Sequence, residues 1–533
     1  MKTYQNQPGA GYTRYIAVFF LFICIGGMAK QAAAQTKEAV IENIVKEETN
    51  HSQLEKLAHE LFDKIGPRLV GTPQMQQAND WAVAKYTGWG INAKNEQWGQ
   101  WKGWERGITH IDMIKPRVKS LEGTQLAWCP STKGKTITAE LVIIPDLADS
   151  LAFQNWLPNV KGKFVMVSMN QPTGRPDDNW QQFATKASFD KMKEERRIET
   201  EAWRNRISKT GYSTRMLPII LEKAGAAGIV GNNWSAGFGV DKIFNAYTST
   251  IPTVDIALED YGMLYRLVDN GDAPLISIRT DSKDHGMVPT LNTIAEIKGS
   301  EKPDEYVMLS AHFDSWDGGT GATDNGTGTL TMMEAMRILK QVYPNPKRTI
   351  LVGHWGSEEE GLNGSRAFVE DHPEIINKLQ ALFNQDNGTG RIVNISGQGF
   401  ENAKEFITRW LDAVPGNIKD SIKTNFPGSP SGGGSDNASF VAAGAPGFSL
   451  GSLNWSYFNY TWHTNRDTYD KVVFDDLRSN AILTAILVYM ACEDPEFFPR
   501  AKAKLGINRR TGKETSWPEM VKPIRKGPVP PKN

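Results

Sequence analysis

The sequence predicts an α/β protein: a mixed, mostly parallel sheet sandwiched by helices, with a second α/β module inserted ahead of it. Three observations carry that prediction. Beyond Asn292, short apolar runs bounded by turns (Tyr306 to Ala311, Thr349 to Gly353, Leu379 to Phe383, Gly447 to Leu450) alternate with helical segments such as Gly328 to Val342. Alternation of this kind marks a sheet covered by helices on both faces. A similar texture runs from Cys129 to about Ser277, in Val142 to Ile144, Phe164 to Val167 and Ile229-Val230. At 533 residues the chain also exceeds what one ordinary core organises, so two domains plus extensions are the expected minimum.

Residues 1–34 read as an export segment. Lys2 and Arg14 supply positive charge, Tyr15 to Met28 is apolar, and Ala32 to Ala34 offer a small-residue cleavage site. The run is short of the ~20 apolar residues of a membrane span. The expectation is therefore a periplasmic or secreted protein with no stable membrane insertion after signal cleavage. Ile23 before Cys24 is not the small residue a lipidation site wants.

Residues 35–130 open with a predicted helix from Glu38 to Ile65, stopped by Gly66-Pro67-Arg68, and a second from Gln74 to Tyr86. Residues 131–280 form the inserted module, in which a helix from near Met216 ends in Ala224 to Gly228. Its charged stretch from Asp177 to Tyr212 reads as a surface helical arm without a site. Residues 281–500 supply the main sheet. The tail, 501–533, is basic, ends Pro-Val-Pro-Pro and reads as extended or disordered, with no chemistry assigned.

Lys plus Arg balance Asp plus Glu at 60 each, so no electrostatic footprint for nucleic acid exists. The sixteen tryptophans are expected mostly in cores. After signal cleavage Cys129 and Cys492 remain, and nothing in the sequence decides whether they pair.

The chemistry concentrates between His312 and Gly361. In His312-Phe313-Asp314, residues two apart in an extended segment face one side. Asp314 is thus expected to accept from the imidazole or sit beside it, a recurring device at zinc sites. Asp324, in Gly321 to Gly326, can present a carboxylate between two metals; taken alone, it reads better as a helix cap. Glu358-Glu359 repel each other unless a cation or proton separates them, although a solvated acidic turn explains the pair equally well in isolation. Asp386 ends another apolar run. His463 sits among aromatics, where a lone histidine is usually a packed or surface residue. His354 reads as a core histidine, and Arg68 as half of a structural ion pair with a substrate carboxylate as the alternative. Asp436, behind Gly432-Gly433-Gly434, is a candidate on a mobile rim loop, where a plain flexible turn explains the glycines as well.

Jointly these residues resemble the dinuclear zinc exopeptidases. The motifs are Ala311 to Trp316, Gly321 to Gly326, Ser357 to Gly361, Asp386 and His463 to Thr468, with Ile65 to Pro73 and Trp104 to Gly107 similar to the N-terminal segments of one branch. Residues 131–280 resemble the protease-associated domain inserted in that branch. The resemblance implies two zinc ions: His312 and Asp386 on one, Glu359 and His463 on the other, Asp324 bridging. Glu358 would be the general base, Asp314 and Asp467 would support the ligands, and Glu360 would be a bystander. Ala311 stands where Gly is common, and Asn325 where Asp is common, altering charge without removing a ligand.

The implied activity is hydrolysis of dipeptides or short peptides by a zinc-activated water. The alternative modes are an aminopeptidase on longer peptides and a non-catalytic binding relative, which should lack ligands that are all present here. A single-zinc cyclase is disfavoured by the same full set. No Ser-His-Asp or Cys-His arrangement competes. The partner is a peptide substrate, and family likeness points to a homodimer that no pattern in the chain itself carries.

Overall fold

The computed structural model describes residues 36–507 and 512–529, so the export segment lies outside the described residues. The first predicted helix is broken. Lys37–His51 is one helix, and Leu54–Ala58 runs into a wider turn, His59–Ile65. The break falls at Ser52-Gln53, where the Gln53 amide donates to the Glu334 side chain (3.1 Å) and so leaves the helical ladder. Gly66, at φ 83°, ends the segment where a Cβ would be strained. Thr72 caps the next helix, Pro73–Gly88, by accepting from the Met75 amide.

Strand β1 (Asn92–Lys115) is followed by β2 (Lys119–Ser120), β3 (Gly123–Gln125), β4 (Ile137–Ile143), β5 (Phe164–Met166), β6 (Gly228–Gly231) and β7 (Thr253–Ile256). Then come β8 (Leu275–Ile297), β9 (Lys302–His312), β10 (Arg348–Trp355), β11 (Leu379–Asn384), β12 (Ile392–Ser396), β13 (Lys423–Asn425), β14 (Gly447–Ser452) and β15 (Lys526–Gly527). One continuous sheet runs β13-β12-β14-β11-β9-β10-β8-β4-β5-β6-β7-β3. The strands β14, β11, β9 and β10 are mutually parallel, and β4 to β7 form a second parallel group.

Two lobes share β8. Its end at Thr293–Ile297 pairs with β10, its start at Leu275–Ile278 pairs with β4, and β1 runs antiparallel along it from Asn92 to Lys115. The second lobe's core takes in Ile111, Met113 and Leu121, ahead of residue 131, and β8 passes through residue 280 unbroken. The change of core is thus earlier than the sequence texture implies, and a single strand spans the exit.

In the main lobe β9 is buried on both faces. Val307, Leu309 and Ala311 meet helices Thr327–Val342 and Phe474–Glu493, while Met308 faces the cluster with Phe368, Leu382 and Phe440. A strand covered on both sides reads as a continuous apolar run, which is why the run was legible. Each fully buried aliphatic side chain there contributes roughly 1.5–3 kcal/mol.

Two expectations are corrected. The tail is extended but held: Trp517 donates to the Val441 carbonyl (2.8 Å), the Ile524 amide donates to Asn363 (2.8 Å), and Arg525 pairs with Glu370 and Asp371. β15 then adds to β1 in parallel. The Asp177 to Tyr212 stretch is helical as predicted (Asp177–Phe183 and Lys186–Lys209), but Trp203 and Ile207 line a cavity that reaches Glu359. Cys129 and Cys492 are both free and buried. Among the described residues no helix is long and apolar enough to cross a membrane.

Candidate metal centre

Because β9, β10, β11 and β14 run parallel, their carboxyl ends share one edge, where polar loops can converge. His312 is the last residue of β9, Glu358 and Glu359 follow β10, and Asp386 follows β11. Asp324 lies in the turn Ala322–Gly326 that opens the helix after β9. His463 arrives on the loop beyond β14.

These side chains meet. His312 Nε2 lies 3.1 Å from Asp386 Oδ1 and 3.4 Å from Asp324 Oδ1. His463 Nε2 lies 2.9 Å from Glu359 Oε2 and 3.4 Å from Asp324 Oδ2. Asp324 therefore turns one oxygen to each histidine. Ligand atoms of His312, Asp324 and Glu359 fall within 4.8 Å of one another, as do those of His312, Glu358 and Asp386.

The supports differ in detail from the sequence expectation. His312 Nδ1 lies 3.0 Å from the backbone carbonyl of Asp314, a contact that turns Nε2 toward Asp386 and Asp324. The Asp314 carboxylate, 3.7 Å from that ring nitrogen, instead accepts from the amides of Glu358 (3.0 Å) and Glu359 (3.3 Å). Asp314 thus sits beside the imidazole, one of the two expected arrangements, and because β9 ends at His312 its carboxylate also reaches the turn after β10. Asp467 accepts from the amides of Thr323 (2.7 Å) and Asp324 (3.0 Å), and so holds the turn that carries Asp324.

Arg68 makes neither the ion pair nor the substrate contact considered for it. Fully buried, it donates to the carbonyls of Gly66, Phe313, Thr320 and Gly321 at 2.7–3.1 Å, tying the N-terminal segment to the turn before Asp324. Gly321 (φ 61°) must be glycine, since a Cβ would stand 2.3 Å from Ser315 Oγ and 2.9 Å from the Arg68 guanidinium. Asn325 donates to the Gln385 carbonyl (2.8 Å) and accepts from the Gly328 amide (3.1 Å), a neutral bridge that an Asp there could not make.

The second lobe grips the loop of His463. The Ile243 amide donates to the His463 carbonyl (2.8 Å), and the Asn465 amide donates to the Asp241 carbonyl (3.0 Å). His463 sits at φ 61°, an uncommon conformation for a residue with a side chain, and these contacts help to hold it. Its ring lies between Trp462 (4.0 Å between centroids) and Phe244 (5.2 Å), with Trp316 at 5.8 Å. Beside it a cavity of about 650 Å³ opens between the lobes, lined by Trp203, Phe244, Tyr247, Trp316, Arg215 and Glu359 among others.

Comparison with known proteins agrees with this geometry. Residues 292–488, which hold every residue of the cluster, match the family model described as peptidase family M28. That segment is the part of the chain similar to M28 peptidases. Across its length the chain is similar to carboxypeptidase Q of Rattus norvegicus, 25% identical over 508 residues that cover 91% of this chain and 99% of the relative. Among solved structures, an M28 peptidase precursor from Shewanella amazonensis is 25% identical with a TM-score of 0.64, covering 87% of this chain and 98% of its own. A zinc aminopeptidase from Bacillus subtilis shares the fold at 18% identity and a TM-score of 0.51, covering 84% of this chain and 97% of its own.

The electrostatics of the cluster follow from burying many acids together. Burial, with Asp386, Asp436 and Asp314 nearby, holds Glu358 well above the usual carboxylate range, against the pull of His312. Burial and Asp324 do the same to Glu359. Burial would raise Asp324 too, but both histidines and Tyr457 outweigh it and hold it low. Burial opposes charge on His312, yet Asp386 and Glu358 keep its pKa well above normal. Burial takes His463 down to about 4, with Asp324 opposing and Lys242 reinforcing the fall.

Of the remaining candidates, Asp436 is not on an exposed rim: Gly432 to Gly434 are exposed, but Asp436 is fully buried, its oxygens have no partner, and burial pushes it to about 7. Glu360 is also buried without a partner and stands outside both ligand groups. His354 is a core residue as expected, bonded to the Tyr86 hydroxyl (2.7 Å) and pushed down to about 3 by burial. Sequence reasoning missed Tyr457, whose buried hydroxyl faces Asp324, and Lys242, Phe244 and Trp203 of the second lobe. The aromatic run Tyr457 to Trp462 before His463 was the available signal for Tyr457.

Proposed function

We propose that the chain is a zinc-dependent exopeptidase that cleaves dipeptides or short peptides, with two zinc ions held at the strand ends. The observation that carries this is Asp324, with one carboxylate oxygen 3.4 Å from each histidine. His312 and Asp386 would hold one ion and Glu359 and His463 the other, with Asp324 reaching both. Nitrogen and carboxylate donors without thiolate suit an open catalytic zinc site. Asp324 Oδ2 and Glu359 Oε1, buried without hydrogen-bond donors, have free capacity for a cation. The names of the relatives supply the zinc and the exopeptidase mode. When bound, paired zinc ions lower the pKa of water and polarise the scissile carbonyl.

The chain's own residues then do the following. In its ionised form Glu358 takes a proton from the attacking water as the new carbon–oxygen bond forms, and the neighbouring acids that raise its pKa make it a stronger base. It delivers that proton to the departing amine as the carbon–nitrogen bond breaks. Asp314 fixes the backbone of Glu358 and Glu359 together, so base and ligand keep one relative position. Tyr457 stays protonated because burial and the surrounding carboxylates raise its pKa, and it offers a hydrogen-bond donor beside Asp324. In this reading the second lobe is a protease-associated domain and the enzyme is exported.

The test is a panel of dipeptides with free and blocked termini, assayed before and after chelation. Release of amino acids that stops with chelator and returns with zinc is expected; turnover that persists in metal-stripped protein contradicts the reading.

A further inference from the structure

Lys242 is a second-lobe lysine, 8% exposed, whose ammonium makes no hydrogen bond and no ion pair among the described residues. Its Nζ lies 4.1 Å from the centre of the Trp462 ring, and that ring packs on His463 at 4.0 Å. The charges acting on it are Asp324, at the metal centre, and Asp255, which already accepts from the amides of Lys242 and Asn233 and from the Asn233 side chain. Although the residue is largely buried, Nζ is not among the enclosed unpartnered polar atoms, so its three donors stay open to a ligand. Phe244, two residues on, lines the 650 Å³ cavity between the lobes. That cavity's lining charges are Glu359, a candidate metal ligand, and Arg215, exposed and likewise without a hydrogen bond or ion pair among the described residues.

We infer that Lys242 is the receptor for a carboxylate of the peptide substrate. This rests on the peptidase reading and deepens it, by naming what the substrate must present on the side of the second lobe. A carboxylate satisfies the ammonium with short charge-assisted bonds. Stabilising the oxyanion of the reaction is a different task, and the Tyr457 hydroxyl beside Asp324 already offers a donor for it. The carboxylate has two chemical sources, the peptide's own C-terminus or an acidic side chain.

Three ligands separate the sources: Ala-Leu, Ala-Leu-amide and Ala-Glu-amide. Their affinities are measured by calorimetry on zinc-loaded protein carrying Glu358→Gln, with and without Lys242→Met, and turnover is followed separately in enzyme that retains Glu358. Methionine keeps an unbranched chain on the Trp462 ring. Lys242→Met should weaken Ala-Leu (C-terminal source) or Ala-Glu-amide (side-chain source) about ten-fold or more and leave Ala-Leu-amide unchanged, with Lys242→Arg restoring part of the loss. Equal weakening of all three ligands, no weakening of any, or an effect confined to kcat on every substrate would overturn the assignment. Absence of turnover in the enzyme with Glu358 intact would count against the peptidase reading, while the affinities still decide Lys242.

Discussion

The two lobes are built alike, each with parallel strands whose carboxyl ends carry polar residues, but they bury carboxylates in opposite ways. At the strand ends of the second lobe, Asp255 is fully buried and accepts from two backbone amides and one side-chain amide. At the strand ends of the main lobe, Asp324 Oδ2, Glu359 Oε1 and both oxygens of Asp436 are buried without a well-formed hydrogen bond. A satisfied buried acid is a structural tie, while a cluster of unsatisfied ones is capacity held for something else. The second lobe's exception among the described residues, Asp241 Oδ1, lies where that lobe grips the loop of His463.

The strongest way to break the comparison is at Asp324. Replacing it with Ala removes the carboxylate shared by both histidines, so zinc content by elemental analysis and activity should both collapse. Asp255→Asn should do the reverse: the melting temperature falls, because losing a charged acceptor from a buried bond costs about 1–3 kcal/mol, while the zinc stoichiometry of the folded fraction holds. Loss of zinc from Asp255→Asn at full stability would erase the distinction between the lobes. Trp203→Ala sits between these extremes. It should raise KM for short peptides several-fold and leave metal content alone, because Trp203 lines the cavity and belongs to neither candidate ligand group.

Glu48 sharpens the rule with a smaller effect. It is buried without a well-formed hydrogen bond like the site acids, yet it belongs to neither ligand group and faces Glu334 and Arg337, and burial followed by the Glu334 charge raises its pKa to about 9. The proton takes the place of a cation. A carboxyl whose folded pKa is raised stabilises the fold fully below about 4.5 and loses that contribution as pH rises toward 9. Glu48→Gln should therefore flatten the decline in melting temperature between pH 5 and pH 9. An unchanged pH profile would show that Glu48 titrates normally.

What could be read from the sequence followed distance along the chain. The strand runs before His312, Glu358 and Asp386 were visible because both faces of each strand are buried, and residues placed at strand ends converge once the strands are parallel. Asp314 was placed beside the imidazole, where it stands, but its bonds to the Glu358 and Glu359 amides were not legible, since the end of β9 falls two residues before it. The break at Gln53 depends on Glu334, 281 residues away, and no local pattern announces it. Lys242 and Trp203 were invisible as site residues for the same reason: their position comes from the contact between lobes. Arg68 read as half of an ion pair because an arginine's partners are unknown until the carbonyls of Phe313, Thr320 and Gly321 are brought to it.

The central claim, a two-cation peptidase centre worked by Glu358, is tested most directly by measuring zinc content and dipeptide turnover on one preparation of Glu358→Gln. The account predicts about two zinc ions per chain, as in the parent protein, and turnover reduced by about 10²–10⁴-fold. Full turnover in that variant, or a parent protein that is active without metal, would contradict it.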